Sequence, residues 1–151
     1  KRPVKTIDYG YVGDIKAVNS DILAGFLAQS LVPVIAPLSY SMEGSLLNTN
    51  ADTIASVIAV ALAGKFKVSL VYCFEKDGVL SNPEDDSSVI PQLTPLEYAS
   101  YKETGAINKG MIPKLDNAFD ALRSGVDRVV VCHAREVLSA VKGDKGTQIR
   151  L

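Results

Sequence analysis

Histidine occurs once and cysteine twice in 151 residues, so there is little from which to build a metal centre or a disulfide framework. Neither an HExxH nor a CxxC spacing is present, which removes the usual sequence signatures of zinc. Cys73 and Cys132 both fall inside apolar, β-rich runs, Val68 to Phe74 and Val129 to Cys132, and read as buried thiols of a reducing compartment. No apolar run approaches the ~20 residues of a membrane-spanning helix, and the first residues lack the apolar stretch of a signal peptide, so a cytoplasmic protein is expected. Excess charge of either sign is missing too. With 16 basic and 17 acidic residues, the formal net charge is -1. That balance gives no electrostatic case for nucleic acid or an anionic membrane and points to small metabolites as partners. Finally, there is neither a Walker-type GxxxxGK[ST] nor a GxGxxG, so any nucleotide site is built another way.

What is present suffices for one compact domain: 47% of the residues are hydrophobic. Residues Ile7 to Val18 alternate around Gly10 and Gly13 and predict short strands or a hairpin. Ser20 or Asp21 then caps a helix to about Gln29, with Ile22, Leu23, Phe26 and Leu27 on its apolar face. Val32 to Pro37 predicts a short buried strand, and Leu46-Leu47 a brief one after a turn at Met42 to Ser45. Thr53 to Ala63, apolar on nearly every side, predicts a helix packed deep against a sheet and stopped by Gly64. Val68 to Cys73 has the continuous apolar character of a parallel strand buried on both faces. Ser81 to Ser88 is a polar loop, after which Thr94-Pro95-Leu96-Glu97 supplies cap, first-turn proline and capping-box acid for a helix to about Thr104. Pro113 to Ser124 follows as a helix, with Leu115, Ala118, Phe119 and Leu122 on one stripe and Gly125 closing it. Arg128 to Cys132 is then a strand, Arg135 to Val141 a helix and Thr147 to Leu151 a last edge strand. This alternation predicts a three-layer α/β/α sandwich with a mostly parallel central sheet.

Two short runs carry the candidate chemistry. Asn48-Thr49-Asn50-Ala51-Asp52 opens one apolar helix, and Gly110-Met111-Ile112-Pro113-Lys114 opens another about sixty residues later. Each places a charged group in a first helical turn, where free N–H groups and the positive dipole end favour a bound anion. Lys114 is unfavourable beside that dipole unless an anion arrives; otherwise it is a solvated surface lysine. Asp52 suits either a catalytic role or simple complementation of the dipole, and Asn48 and Asn50 suit either an anionic ligand or helix caps. Glu75-Lys76-Asp77-Gly78-Val79-Leu80 follows a predicted strand at the edge where open α/β sheets bind ligands, although Asp77-Gly78 also fits a plain β-turn. His133 has no nucleophile motif around it and reads as structural.

Taken in order, the Gly-x-Val-Gly run at Gly10 to Gly13, Pro33-Val-Ile-Ala-Pro37, Asn48-x-Asn-Ala-Asp52, the Glu75 to Leu80 loop, Gly110-Met-Ile-x-Lys114 and Gly146-Thr-x-Ile149 form a specific set. By that set the chain resembles the N-acetylglutamate kinases of the amino acid kinase family, and within them the carboxyl-terminal, nucleotide-binding half. The resemblance implies part of an amino acid kinase (carbamate kinase-like) fold. It also implies ATP-dependent phosphorylation of the side-chain carboxylate of N-acetyl-L-glutamate, or another N-acylglutamate, to an acyl phosphate, the second step of arginine biosynthesis. Carried over by position, Asn48, with Asn50 beside it, holds the acylglutamate, Asp52 orients catalytic lysines, and Lys114 offsets charge on the transferring phosphoryl group. Glu75, Lys76, Asp77, Gly78, Val79 and Leu80, with Ala106, Ile107, Asn108, Gly110 and Met111, border the nucleotide. Mg2+ is carried by the ATP phosphates and no protein metal site is expected. Residues 1–151 are expected to be the ATP-binding half, inactive without the acylglutamate-binding half. A homo-oligomer is expected, with its interface in that other half. Alternatives are a related kinase with another acceptor and a non-catalytic nucleotide-binding module.

Overall fold

A computed structural model describes residues 9–107 and 110–151. Helix α1 (Ser20–Ala28) is followed by a hairpin of β1 (Leu38–Tyr40) and β2 (Leu46–Asn48), then helix α2 (Ala51–Ala63) and strand β3 (Ser69–Phe74). Strand β4 (Gln92–Leu93), helices α3 (Pro95–Thr104) and α4 (Ile112–Arg123), strand β5 (Arg128–His133), a 3-10 turn at Ala134–Glu136, helix α5 (Val137–Lys142) and strand β6 (Thr147–Ile149) complete it. The main sheet has the order β3-β5-β6-β4, with β3 parallel to β5, β6 antiparallel to β5 and β4 parallel to β6.

Strict alternation along β3 and β5 divides the core in two. Leu70, Tyr72, Val129 and Val131 join Leu115, Ala118 and Phe119 in the main cluster, which lies between the sheet and α2, α3 and α4. Val130 and Cys132 face the other way, onto Ala140 and Val137 of α5 with Val71 beside them. The sandwich therefore has the expected three layers, its second helical layer being the short α5. The sheet is mixed, with two parallel pairings and one antiparallel.

Local chemistry explains the helix ends. Thr94 and Glu97 form the expected capping box around Pro95, and Gly105 closes α3 in the left-handed region. Helix α1 is capped by Asn19, whose side chain accepts from the Ile22 N–H, and not by Ser20 or Asp21. None of its residues is buried, so its predicted apolar face is open, as is that of the hairpin at Tyr40, Met42 and Leu46.

Several elements differ from the expectation. Val32 to Pro37 forms no strand, and Val34 is 94% exposed. Pro33 and Pro37 remove two ladder donors, and apolar character alone does not supply a pairing partner. Residues 9–18 form no hairpin of their own; Val12 instead makes a parallel bridge to Asn48. Strand β6 is not an edge but lies between β5 and β4, a short strand that the flanking prolines Pro91 and Pro95 conceal in the sequence. Cys132 is buried, but Cys73 is exposed, near the carboxyl end of β3, which is the sheet's terminal strand among the described residues. Helix α2 buries only Ile54, Ser56 and Ala59.

Gly146 sits at φ +76°, and a Cβ there would lie 2.7 Å from the Val131 carbonyl oxygen and 2.8 Å from Cys132 Cβ. Gly146→Ala is expected to cost about 2–4 kcal/mol, from left-handed strain and overpacking together. Gly25→Ala, in the open middle of α1 where nothing lies within 4 Å of the new carbon, should gain about 0.5–1 kcal/mol. Urea unfolding of both variants checks the contrast.

Candidate active site

Helices α2 and α4 each precede a strand of the parallel pair β3 and β5, so each runs back across the sheet and starts at the edge where the strands end. Their first turns therefore meet. Lys114 Nζ of α4 donates to Asp52 Oδ1 of α2 at 2.5 Å, with the lysine side chain 15% and the aspartate side chain 33% exposed. Ser56 Oγ binds the two helices one turn further on by donating to the Asn117 carbonyl at 3.4 Å.

Tyr72 of β3 forms the floor beneath this pair. Its ring centroid lies 4.7 Å from Lys114 Nζ, and its hydroxyl donates to the Asp52 carbonyl oxygen at 3.3 Å. Burial pushes the hydroxyl up to about 12, opposed by a hydrogen bond with Ser56 and reinforced by the Asp52 charge, so the phenol stays neutral. The ammonium thus has a carboxylate on one side and an aromatic face on another, and among the described residues two of its three donors have no acceptor.

Lys114 also lines a cleft of about 300 Å³ with Phe74, Glu75, Lys76, Gly78, Val79, Leu80, Pro83, Ile107, Gly110 and Met111. Nine of these eleven are residues singled out in the sequence; Phe74 and Pro83 are additions. Asp77 is exposed and Ala106 half-buried, both outside the lining, and Asn108 lies outside the described residues. Lys76 Nζ donates to Asp86 Oδ1 at 2.6 Å, and that carboxylate holds the lysine above its ordinary pKa. The start of α4 faces the cleft with no acid in its first turn and, among the described residues, no side-chain cap on Met111; Pro113 has no N–H, so the Ile112 and Lys114 N–H groups are the ones suited to an anion.

The asparagines separate. Asn50 is the N-cap of α2, its Oδ1 accepting from the Thr53 N–H at 3.0 Å. Asn48 ends β2 with its backbone held by Tyr11 and Gly13 and its side chain exposed. His133 is also engaged structurally: Nδ1 accepts from the Arg135 N–H at 3.0 Å, capping the 3-10 turn.

Two residues that sequence reasoning missed set the geometry. The continuous apolar run Val68 to Cys73 marks Tyr72 only as part of a buried strand. Thr147, wholly buried, was read as part of an edge strand, yet its Oγ1 accepts from the Val79 N–H at 2.8 Å and donates to the Ile90 carbonyl at 2.6 Å. It fastens the cleft loop to β6. Gly78 makes this possible, since a Cβ there would lie 2.7 Å from both Thr147 Oγ1 and Val89 Cγ1.

The architecture agrees with the comparisons. Residues 2–133 match the model of the amino acid kinase family. Acetylglutamate kinase of Cytophaga hutchinsonii is 51% identical over 100% of the chain and 58% of its own length, and that of Phocaeicola vulgatus is 53% identical over 99% and 57%. The chain thus spans a little over half the length of these relatives. N-acetylglutamate synthase from Neisseria gonorrhoeae, solved with coenzyme A and L-arginine, superimposes with a TM-score of 0.80 at 26% identity, over 98% of this chain and 35% of that one. Giardia carbamate kinase shares the fold, with a TM-score of 0.70 at 14% identity over 89% and 48% of the two chains. The chain belongs to the amino acid kinase family.

Thr147→Val removes the donor to Ile90 and the acceptor for Val79 while preserving shape. Leaving those two buried backbone groups unpaired should cost about 1–3 kcal/mol, read from the urea midpoint.

Proposed function

We propose that these residues form the nucleotide-binding half of a kinase that phosphorylates the side-chain carboxylate of an N-acylglutamate, N-acetyl-L-glutamate foremost, using ATP and yielding an acyl phosphate. The observation that carries the reading is Lys114, paired to Asp52 over Tyr72 and standing in the cleft lined by the Glu75 to Leu80 loop. The names of the curated relatives supply the acceptor, and the reaction is the second step of arginine biosynthesis.

The residues suit the chemistry. A carboxylate acceptor is ionised at neutral pH, so no general base is required, and catalysis reduces to alignment and charge neutralisation. Lys114 offsets negative charge developing on the transferring phosphoryl oxygens. Asp52 takes one of its N–H groups and so fixes the direction of the other two, while the Tyr72 ring keeps water from one side of the ammonium. The apolar wall of Phe74, Val79, Leu80 and Ile107 suits an adenine, and the uncapped start of α4 suits the phosphates. Among the described residues no three His, Cys, Asp or Glu side chains converge into a cation site, and in this reading Mg2+ is held by the ATP phosphates. ATP supplies the phosphoryl group. Asn48, exposed at the end of β2 on the same edge, contacts the acylglutamate; Asn50 acts through the position of α2, as its cap. The remainder of the acceptor site belongs to the other half of the protein, without which residues 1–151 do not turn over.

Hydroxylamine trapping of acyl phosphate by the full-length protein, with Mg-ATP and N-acetylglutamate, N-succinylglutamate or free glutamate in parallel, tests the reading. Product with one acylated acid supports it and names the acyl group; none with any acid overturns it. Lys114→Ala is expected to lower kcat by about 2–4 kcal/mol in barrier with little change in acylglutamate affinity. Asn48→Ala should chiefly raise KM for the acid. Tyr72→Phe, which retains the ring beneath Lys114, should keep most of kcat, whereas Tyr72→Leu should lose at least about tenfold, corresponding to ~1.4 kcal/mol.

A further inference from the structure

We propose that Cys73 and Cys132 form a closely spaced dithiol that closes reversibly to an intrachain disulfide by exchange with a low-molecular-weight disulfide. They are the chain's two cysteines, and they are register partners in the parallel β3–β5 ladder. Facing residues of adjacent strands project to the same side of a sheet, about 4.8 Å apart at Cα, which falls inside the range a disulfide accepts.

The two thiols differ in a way that orders the chemistry. Cys73 is exposed, near the carboxyl end of β3. Cys132 is wholly buried: Ala140 of α5 packs against it, and Gly146 crosses so close that a Cβ there would lie 2.8 Å from Cys132 Cβ. Burial first, then the neighbouring Cys73, pushes the Cys132 thiol up to about 11. A reagent in solution therefore meets Cys73 first, and Cys132 is reached through it.

Closure takes two exchanges. The Cys73 thiolate attacks a sulfur of the small disulfide; the Cys73 S–S bond forms, the reagent's own S–S bond breaks, and one small thiolate leaves. Cys132 then gives up its proton and attacks the Cys73 sulfur, expelling the second small thiolate. Two protein thiols are oxidised and one small disulfide is reduced to two thiols. Excess small thiol runs the sequence backwards. Phe74, the residue after Cys73, lines the cleft, so the modification falls at the root of its loop.

The test is intact-mass and peptide mapping of the reduced, full-length, natively folded protein after incubation with oxidised glutathione. The expected product has lost two hydrogens, carries no glutathione, yields a Cys73–Cys132 linked peptide and is restored by dithiothreitol. Cys132→Ser is expected to stop at a glutathione adduct on Cys73, and Cys73→Ser to stay unmodified at position 132. A stable glutathione adduct on the parent protein overturns the proposal, as does an unreacted pair or a disulfide between two copies of the chain.

Discussion

The parallel pairing of β3 with β5 is the constraint from which the candidate site follows. Ser69 lies opposite Arg128 and Phe74 opposite His133, so the two strands finish level with one another. Each is entered from a helix that must cross the sheet in the opposite sense. Two helix starts and one strand-to-loop transition are thereby delivered to a single edge, and Asp52 meets Lys114 across 62 residues of chain. A slip of one residue in this register would turn Tyr72 out of the main core and remove the ring beneath the lysine.

The electrostatic design at that edge is economical. A lysine in the first turn of a helix opposes the local dipole, and the first turn of α4 has neither an acid nor a side-chain cap to relieve it. The compensation comes from another helix, as the Asp52 carboxylate, and from the aromatic face of Tyr72. Borrowed neutralisation of this kind leaves the start of α4 open toward the cleft. A capping acid on α4 itself would occupy the place an anion needs.

Much of this was readable in the chain because it is written locally. The Thr94-Pro95-Glu97 capping box, the glycine stops and the stripe from Leu115 to Leu122 depend on neighbours a few residues away, and they stand as read. The cleft residues came from motif order and not from periodicity, which says nothing of which loops face each other. What escaped was nonlocal. An apolar Val32 to Pro37 needs a partner strand and has prolines where ladder donors belong. Cys73 appeared buried because hydropathy cannot show that its strand is, among the described residues, the terminal one of the sheet. Thr147 looked like the margin of the fold, since nothing near it reveals that β6 inserts between β5 and β4.

That insertion bears on the order in which the molecule can be completed. During synthesis β4 emerges more than fifty residues before β6, its partner in the sheet, and the cleft loop has no Thr147 to hold it until that strand arrives. Until then the Val79 N–H and the Ile90 carbonyl lack the partner they have in the fold, and the nascent chain has α2 and α4 without a finished cleft beside them. Strand β6 acts as a latch, so the shape of the cleft is the last thing this segment acquires as it is synthesised.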